Sequence, residues 1–342
     1  MNPSDFNPNS FAVKNNNFIG LPFDKQTAKI VFFTVPWEAT VSYSAGAAGS
    51  PSNILKASYQ LDLYDPDVKD AWKLGIYMNS INKKIVSLNK KTRKLAIQHI
   101  NRLEAGKESV KAEVQQINTN CGILHQWVYE QTKRLMTQGQ RVALIGGEHS
   151  VSFGYLRALA ELHPAFGVLQ IDAHFDLRQA YQELTYSHAS IFYNVLEQIP
   201  AVQKLVALGI RDYCEEELRY QQKHRDRIRV FYDRALKEAV FEGRTFAQMG
   251  DQIIDQLPQA VYVSFDIDGL DPKLCPSTGT PVAGGLELAQ VFYLFKKLVR
   301  SGRTIIGFDL CEVGSATEWD GNVGARVAYK LANLMGKSQG LI

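Results

Sequence analysis

The stretch VLQIDAHFD, residues 168–176, is the clearest structural signal in the sequence. An apolar run leads into Asp172, His174 and Asp176, which stand at every second position. Side chains spaced in this way on an extended chain point to the same side, so two carboxylates and an imidazole would lie together. The carboxylates would repel each other without a cation between them, and a merely solvated strand end, the alternative, gives no reason for the pattern. The stretch therefore predicts a buried strand that ends in a metal site.

Short apolar runs of strand length recur on both sides of this stretch. They are residues 30–35, 142–145, 167–171, 205–208, 229–232, 261–265 and 304–308. From residue 141 onward these runs alternate with periodic segments of helical length, at residues 153–162, 246–257 and 286–299. Strands that alternate with helices form mainly parallel sheets with helices on both faces. The chain is therefore predicted to be an α/β protein.

The remaining segments complete the predicted domain organisation. Residues 1–27 are rich in Asn, Ser and Pro, which is typical of a flexible N-terminal arm. Residues 89–138 form a helical segment, in which Gly106 separates two apolar stripes of helical period. A helical hairpin packed on the core is favoured over an oligomerisation arm. No linker or repeat divides residues 28–342, which are therefore predicted to form a single domain.

Composition excludes several classes of protein. Of the 342 residues 21% are charged and the net charge is +3, so no surface dedicated to nucleic acid is expected. No apolar run is long enough to span a membrane, and the first residues lack the basic and apolar regions of a signal peptide. The four cysteines show no CxxC spacing and are interpreted as reduced thiols. We therefore expect a cytoplasmic protein with no nucleic-acid or membrane partner.

Three further polar clusters follow other predicted strands. They are GGEHS at residues 146–150, SFDIDGLDP at 264–272 and GFDLCE at 307–312. Ligands collect at the carboxyl ends of the strands in open parallel sheets, so these clusters are expected to meet the first one. Together they supply two imidazoles and four carboxylates, from His149, Asp172, His174, Asp176, Asp266 and Asp268. This set suits two divalent cations of the Mn²⁺ class. The four carboxylates would neutralise the charge of the two cations. The cations would lower the pKa of a water molecule and so make hydroxide available near neutral pH.

The same motifs carry a resemblance to a known family. GGEHS, DAHFD and SFDIDGLDP, with PSTGTP at residues 276–281 and the glycines at 284 and 285, resemble the ureohydrolase superfamily of arginases, agmatinases and formimidoylglutamases. They occur in the family's order, and the resemblance extends over residues 30–335. It implies a three-layer α/β/α fold with a mainly parallel sheet, and a homotrimer or homohexamer. It also implies two divalent metal ions, which are Mn²⁺ in most members and Ni²⁺ in some guanidine-hydrolysing relatives.

The resemblance further implies a role for each site residue. One ion would be held by His149, Asp172, Asp176 and Asp266, and the other by Asp172, His174, Asp266 and Asp268, so that Asp172 and Asp266 bridge the two. Asp176 would pass a proton to the departing nitrogen, His188 would exchange protons with solvent, and Glu312 would receive the guanidinium group. Two of these residues also have a simpler interpretation. His188 follows Ser187 at a helix start, and Glu312 could be a surface acid at a strand end.

The activity implied by the resemblance is metal-dependent hydrolysis of a guanidino C–N bond, in which water is consumed and urea released. Agmatine or free guanidine is the expected substrate, and arginase, guanidinobutyrase and formimidoylglutamase activities are the alternatives. DAHFDLR, residues 172–178, resembles formimidoylglutamases more closely, whereas His188 points to agmatinases and guanidine hydrolases. A non-catalytic metal-binding relative is a further alternative, but none of the six expected ligands is missing from the sequence.

Arg178 is the residue on which the choice of substrate depends. It stands where arginases place an Asn that reads the amino-acid end of arginine, so arginine should be rejected. Its guanidinium could bind the carboxylate of guanidinobutyrate or formimidoylglutamate. It could instead repel the distal ammonium of agmatine, which would favour free guanidine. A structural ion pair is the third possibility. Trp37, Tyr43 and Trp319 could narrow the pocket toward small guanidines, or simply pack loops over the sheet.

Glu148 is a departure from the family's pattern. The first cluster reads GGEHS, where GGDHS is commoner among ureohydrolases. The change adds one methylene to a residue beside the expected ligand His149, so we expect an altered geometry of the side chains that surround the ligands.

Overall fold

The strands form one parallel sheet in the computed structural model, which describes residues 5–342 and leaves the first four residues of the predicted arm outside. In chain order the strands are β1 Ile30–Val35, β2 Ile76–Met78, β3 Arg141–Gly146, β4 Phe166–Ile171, β5 Val202–Ile210, β6 Ile228–Tyr232, β7 Ala260–Asp266 and β8 Thr304–Cys311. Their order across the sheet is β2-β1-β3-β8-β7-β4-β5-β6, and each neighbouring pair is parallel. The predicted parallel sheet is therefore confirmed.

The edge strand β2 is not predicted from the sequence, because its three residues are too few to show a period. Asn17 of the predicted arm covers the free edge of this strand. The Asn17 side chain accepts a hydrogen bond from Met78 N at 2.8 Å and donates one to Ile76 O at 3.0 Å. Phe18, the next residue, is fully buried. This part of the arm thus belongs to the core and protects a strand edge from pairing with other chains, while the flexibility of the arm stays a prediction.

Ten α-helices connect and cover the strands in the described part of the chain. They are α1 Ser50–Ser58, α2 Lys83–Glu104, α3 Lys111–Thr137, α4 Ser152–Leu162, α5 Ile191–Gln198, α6 Glu215–Lys223, α7 Asp233–Phe241, α8 Phe246–Asp255, α9 Leu288–Arg300 and α10 Glu318–Ser338. The helical segment expected at 89–138 consists of α2 and α3, and it begins earlier than expected, at Lys83. Gly106 lies between the two helices with a φ of 68°, a conformation that glycine adopts without strain.

The helices form one layer on each face of the sheet. Neighbouring residues of β1 alternate between these faces: Ile30 and Phe32 belong to one hydrophobic core, and Val31 and Phe33 belong to the other. The first core includes residues of α1, α8, α9 and α10, and the second includes residues of α2, α3, α4 and α5. Each fully buried aliphatic side chain stabilises such a core by roughly 1.5–3 kcal/mol. The chain has the three-layer α/β/α architecture that the sequence resemblance implies.

The strand order explains why the polar clusters of the sequence meet. β3, β8, β7 and β4 are consecutive in the sheet, and all four run in the same direction. Ile171 pairs with Phe265, and Phe265 pairs with Leu310, so these strands end at nearly the same level. The segments that follow them therefore lie side by side along one edge of the sheet.

Two observations bear on the compartment and the chemistry of the chain. No helix among residues 5–342 combines the length and the apolar character that crossing a membrane requires. The four cysteines are unpaired, in agreement with their spacing in the sequence.

Candidate active site

Four of the predicted ligands surround one point at the carboxyl ends of the strands. His149 begins the helical turn after β3, Asp172 follows β4, and Asp266 is the last residue of β7. Nδ1 of His149 lies 3.1 Å from Asp172 Oδ2 and 3.0 Å from Asp176 Oδ2. Its distance to Asp266 Oδ2 is 3.4 Å. The ligand atoms of His149, Asp172 and Asp266 are close enough together to share one metal ion.

A second group of ligand atoms shares Asp172 with the first. His174 Nδ1 lies 3.6 Å from Asp172 Oδ1 and 3.1 Å from Asp268 Oδ2, and these three residues form a second potential metal site. The two oxygens of Asp172 thus face two different imidazoles, as a bridging carboxylate requires. Asp266 directs Oδ2 toward His149, while its Oδ1 accepts a hydrogen bond from Asp268 N at 2.9 Å. The bridging role of Asp266 stays a prediction.

A chain of hydrogen bonds holds His149 in one tautomer. Its Nε2 lies 2.9 Å from Ser264 Oγ. The Ser264 hydroxyl donates to Asp309 Oδ2 at 2.8 Å, so its oxygen is left to accept the proton of His149 Nε2. Asp309 is fully buried and also accepts from Tyr262 OH at 2.7 Å. A neutral His149 therefore presents the lone pair of Nδ1 to three carboxylates, which suits a cation between them, and the donor set fits divalent metal ions.

In the absence of a cation, only protons can neutralise this cluster. Burial, with the charges of Asp268 and Asp172, raises the pKa of Asp266 well above its ordinary range. Burial and Asp172 likewise raise the pKa of Asp176 to about 7. Burial disfavours a charged His149, but the nearby carboxylates outweigh it and raise the pKa of the imidazole. Metal ions that bind here must displace these protons, so binding will be coupled to proton release.

Asp176 reaches the cluster through an uncommon backbone conformation. Its φ is 55°, in the left-handed region that residues other than glycine seldom adopt. Such a conformation costs roughly 1–3 kcal/mol and persists only where the surroundings hold it. Here the Asp176 carbonyl accepts hydrogen bonds from Phe192 N at 3.0 Å and Tyr193 N at 3.3 Å, at the start of α5. These bonds hold the turn that brings the carboxylate to within 3.0 Å of His149 Nδ1.

Glu312 lines the same cavity and is not a surface acid. It follows β8, is 4% exposed and has a φ of 60°. Its Oε1 accepts a hydrogen bond from His149 N at 3.0 Å, whereas its Oε2 is buried without a hydrogen-bond partner among the described residues. Burial, and then the charge of Glu148, raises the pKa of this carboxyl group well above its ordinary range. A buried carboxylate oxygen without a partner is suited to receive a cation.

His188 begins a helical turn, as the simpler interpretation suggests, and it also lines the cavity. Ser187 caps the turn with its side chain. The His188 ring stands perpendicular to the Tyr181 ring, with centroids 6.1 Å apart, and its backbone N–H donates to Thr40 Oγ1 at 3.0 Å. Burial, followed by the charge of His174, lowers the pKa of His188 to about 4. The ring is therefore neutral near pH 7.

The cavity beside the candidate metal ligands has a volume of about 280 Å³. Arg178 forms part of its wall: the Arg178 Nε lies 3.7 Å from Glu217 Oε2, and the guanidinium stands over the Tyr181 ring at 4.8 Å from the ring centre. The structural ion pair considered for Arg178 is thus present, although the residue also faces the cavity.

The three aromatic residues expected to narrow the pocket lie in different places. Tyr43 lines the cavity and is 77% exposed. Trp37 is fully buried in the second hydrophobic core, and Trp319 donates a hydrogen bond from its indole to Lys273 O. Of the three, Tyr43 is thus the residue placed to contact a substrate.

Two acidic residues of the cavity, Asp212 and Glu217, are missed by reasoning from motifs. Both follow β5, the neighbour of β4, so the rule about strand ends could have found them in the run of acids after that strand. Asp212 Oδ2 lies 4.0 Å from His174 Nε2, and its side chain is 69% exposed. Glu217 is buried and accepts hydrogen bonds from Leu177 N at 3.1 Å and Cys214 N at 3.0 Å.

Comparison with known proteins identifies relatives along nearly the whole chain. The family model described as "Arginase family" matches residues 28–336. An N(1)-aminopropylagmatine ureohydrolase of Thermus thermophilus is 28% identical over 321 residues, covering 92% of this chain and 93% of the relative. The agmatinase of Halalkalibacterium halodurans is 27% identical over 292 residues, covering 85% and 86%. The crystal structure of the agmatine ureohydrolase of Thermoplasma volcanium has the same fold, with a TM-score of 0.72 at 20% identity over 96% of this chain and 97% of that chain.

Proposed function

This chain belongs to the arginase family and is a hydrolase of guanidino C–N bonds, and we propose that its substrate is a small guanidine without an amino-acid end, either agmatine or free guanidine. The observation that carries the proposal is the position of Glu312. Glu312 lines the cavity that the candidate metal ligands also line, and its Oε2 has no hydrogen-bond partner among the described residues. A guanidinium bound there would have its carbon next to the metal centre, where a water molecule can attack it.

The six clustered ligands are proposed to hold two divalent ions, Mn²⁺ first and Ni²⁺ as the alternative. His149, Asp172, Asp176 and Asp266 would hold one ion, and Asp172, His174, Asp266 and Asp268 would hold the other. When bound, the ions would lower the pKa of a shared water molecule and stabilise the negative charge that develops on the substrate. The excess of carboxylates and the orientation of the Asp172 oxygens toward both His149 and His174 support this arrangement.

The side chains of the protein would bind the substrate and handle its protons. Glu312 would accept hydrogen bonds from the guanidinium and fix its orientation. Asp176 would take a proton from the attacking water and deliver it to the departing nitrogen, because amines leave poorly unless they are protonated. His188 lines the cavity as a neutral imidazole, so it would exchange protons between the site and solvent.

Arg178 and Glu217 are proposed to exclude arginine. The α-ammonium group of arginine would approach the Arg178 guanidinium, a like charge. Glu217 cannot compensate, since its oxygens already accept from Leu177 N and Cys214 N and face Arg178. A charged group that loses its water without gaining a partner is costly to bury, so this site should bind arginine poorly.

Asp212 favours a substrate tail that carries an amine over one that carries a carboxylate. It lines the cavity with a largely exposed side chain, and its one ion-pair contact among the described residues is with His174. Arg178 would repel the distal ammonium of agmatine as it would the ammonium of arginine, but Asp212 would attract it and would repel the carboxylate that, of the two, only arginine carries. The names of the relatives, agmatinase and N(1)-aminopropylagmatine ureohydrolase, also denote substrates with such an amine. Agmatine is therefore the first candidate and free guanidine the second.

A substrate panel tests this proposal. The protein, loaded with Mn²⁺ or with Ni²⁺, is assayed on agmatine, guanidine, N(1)-aminopropylagmatine, guanidinobutyrate, formimidoylglutamate and arginine, with urea or formamide measured as the product. We expect kcat/KM for agmatine or guanidine to exceed that for arginine by at least about 100-fold. Arg178→Ala should narrow this ratio, whereas the control Arg234→Ala, at an exposed arginine paired with Glu238, should leave it unchanged.

Each other outcome assigns a different function. Arginine as the best substrate would overturn the role given to Arg178 and Glu217. If guanidinobutyrate or formimidoylglutamate has the highest kcat/KM, and this preference is lost in Arg178→Ala, then Arg178 recognises the carboxylate. Protein that carries two ions but hydrolyses none of the six compounds would support a non-catalytic metal-binding relative.

A homotrimer or homohexamer in the cytoplasm is proposed as the setting of this activity. Light scattering coupled to gel filtration gives the mass of the assembly, and a monomer at micromolar concentration would contradict the proposal. Fractionation of the source cells tests the compartment.

A further inference from the structure

Glu148 is a buried acid beside the metal cluster that takes no part in the reaction described above. It is fully buried, and both of its oxygens bind the chain. Oε2 accepts a hydrogen bond from Thr40 N at 2.8 Å. Oε1 accepts from Thr40 Oγ1 and from Ser150 Oγ, each at 2.8 Å. The carboxylate thus joins the segment that carries the ligand His149 to the loop that follows β1.

Thr40 extends this contact to His188. The hydroxyl of Thr40 gives its one proton to Glu148, so the oxygen keeps lone pairs with which to accept. One of them accepts the backbone N–H of His188 at 3.0 Å. Thr40 is 1% exposed, and hydrogen bonds are stronger where water is excluded. A continuous path of hydrogen bonds therefore runs from Glu148 through Thr40 to His188.

The loop that carries Thr40 is held closely against the metal-binding segment. Glu148 N donates to Trp37 O at 2.8 Å. A Cβ atom at position 147 would lie 1.7 Å from the same carbonyl oxygen, so Gly147 is what allows the two segments to approach. Arg93 of α2 donates to carbonyl groups of this loop, and its charge partly offsets the burial of the Glu148 carboxylate. Movement of Thr40 relative to Glu148 is thereby restricted.

We propose that Glu148 is a positioning residue for His188 and acts through the hydroxyl of Thr40. The inference rests on the proposed function, in which His188 exchanges protons between the site and solvent. Glu148 bonds to Thr40 and Ser150 rather than to the His188 ring, so it acts by holding the backbone that bears this ring. A displacement of about 1 Å in a reacting group can lower an enzymatic rate by about 100-fold.

The same geometry gives a reason for glutamate at this position. An aspartate would be shorter by one carbon–carbon bond, about 1.5 Å. From the same backbone its oxygens could not stay within the roughly 2.7–3.2 Å that these hydrogen bonds require. Glutamate has one methylene more than aspartate, and this extra length lets the Glu148 carboxylate reach Thr40 from the segment that carries His149.

Thr40→Val is the most direct test, because it removes the hydroxyl and keeps the backbone N–H that Glu148 accepts. We expect full metal content, an unchanged KM and a kcat that is roughly tenfold lower. His188→Ala should keep its metal ions and lower kcat by about 100-fold. In that background Thr40→Val should cause no further loss, because the ring that it positions is gone. Glu148→Asp should behave in the same way, lowering kcat when His188 is present and causing no further loss in His188→Ala.

The matched control is Thr132→Val on α3, which removes another fully buried threonine hydroxyl, one without a hydrogen-bond partner in the described structure. It should leave kcat unchanged in both backgrounds. Equal losses from Thr40→Val with and without His188 would show that Thr40 only supports the fold, and would overturn the proposal. Loss of the metal ions in Thr40→Val would overturn it as well.

A second measurement tests the position of His188 without any reaction. In spectra of metal-free protein with isotope-labelled histidines, the His188 resonance is the one that His188→Ala removes. It should shift in Thr40→Val and stay in place in Thr132→Val, and an unshifted resonance in Thr40→Val would overturn the proposal. If the wild-type protein hydrolyses no guanidino compound, the proposed function is wrong. The resonance shift then still tests whether Thr40 positions His188, because it needs no reaction.

Discussion

Two buried clusters of charged residues in this protein are built in opposite ways. Near α10, Lys330 Nζ lies 2.7 Å from Asp65 Oδ1 and 2.6 Å from Asp67 Oδ2. Asn333 donates to Asp65 at 3.0 Å, and Lys296 lies 3.4 Å from Asp67, so two cations balance two carboxylates. At the candidate metal centre four carboxylates face two imidazoles, and none of the four forms an ion pair with a lysine or arginine among the described residues.

The pKa values of one carboxyl group from each cluster, Asp67 and Asp266, shift in opposite directions. Burial raises the pKa of Asp67, but the hydrogen bond and charge of Lys330 outweigh it, so the pKa is lowered. For Asp266, burial and the neighbouring Asp268 both raise the pKa. A cluster that the chain neutralises by itself serves the fold, whereas one left with excess negative charge needs a cation from outside.

Asp172→Asn should show the largest difference between the clusters. The two oxygens of Asp172 face His149 and His174, so a neutral amide weakens both groups of ligands. We expect the wild-type protein to bind two divalent ions per chain, as measured by elemental analysis after loading with Mn²⁺ and removal of free metal. The variant should bind fewer ions and release no detectable urea. The control Asp65→Asn should keep both ions and its activity.

Two results would contradict this interpretation. Wild-type protein that is fully active with one ion per chain would exclude a binuclear centre. Asp172→Asn protein that retains two ions would show that Asp172 is not shared between the two groups of ligand atoms.

Substitutions in the two clusters should change the free energy of unfolding of the metal-free protein in opposite directions. Asp65→Asn removes a partner from the buried Lys330 and should destabilise the protein by about 3 kcal/mol. Asp266→Asn removes a repelled carboxylate and should stabilise the metal-free protein, by on the order of 1 kcal/mol at pH 7. Denaturant unfolding in the presence of a chelator measures both effects.

The raised pKa of Asp266 also predicts how the stability of the metal-free protein depends on pH. Its folded pKa lies above its ordinary value of 3.8, so the folded protein holds the extra proton. The metal-free wild type should therefore lose stability as the pH rises from this ordinary value through the folded pKa, and Asp266→Asn should reduce that loss. Destabilisation by Asp266→Asn in the metal-free state would mean that the cluster, like that of Lys330, is neutralised within the chain.

The clustering of the candidate metal ligands could be predicted from the sequence for one physical reason. His149, Asp172 and Asp266 each stand where an apolar run ends, and a parallel sheet brings such ends together. The rule can be applied without knowing which strands are neighbours, because the carboxyl ends of all parallel strands lie along the same edge of the sheet. The same rule would have found Asp212 and Glu217 after β5, had it been applied to that strand.

The contacts that support these ligands could not be predicted in this way. Ser264 and Asp309 are 45 residues apart in the sequence, and Thr40 and Glu148 are 108 residues apart. Their hydrogen bonds depend on the order of the strands and on the path of a loop, which no local pattern records. The start of α2 is a miss of a different kind: Asn82 caps the helix by accepting a hydrogen bond from Lys84 N, and the apolar residues Ile85 and Leu88 that follow are one turn apart and pack in the second core.

The last expected effect concerns a buried histidine that belongs to neither of the two charged clusters. His125 is 2% exposed and packs against Phe153 and Tyr186, with ring centres 5.2 and 4.9 Å away. Burial lowers its pKa to about 3, so the folded protein keeps it neutral while the unfolded chain takes up a proton below pH 6.5. Its contribution to stability is therefore complete above pH 6.5 and is lost as the pH falls toward 3.

At pH 5 the loss from His125 should be about 2 kcal/mol, because the unfolded pKa lies about 1.5 units above that pH. His125→Phe replaces the ring by one of similar size that cannot take up a proton. The difference in the free energy of unfolding between pH 7.5 and pH 5 should therefore be smaller in the variant by about this amount. The control His224→Gln, at a half-buried histidine that ends α6, should leave the difference nearly unchanged. An equal loss in wild type and His125→Phe would mean that His125 takes up its proton while the protein stays folded, so that burial does not exclude a charge at this position.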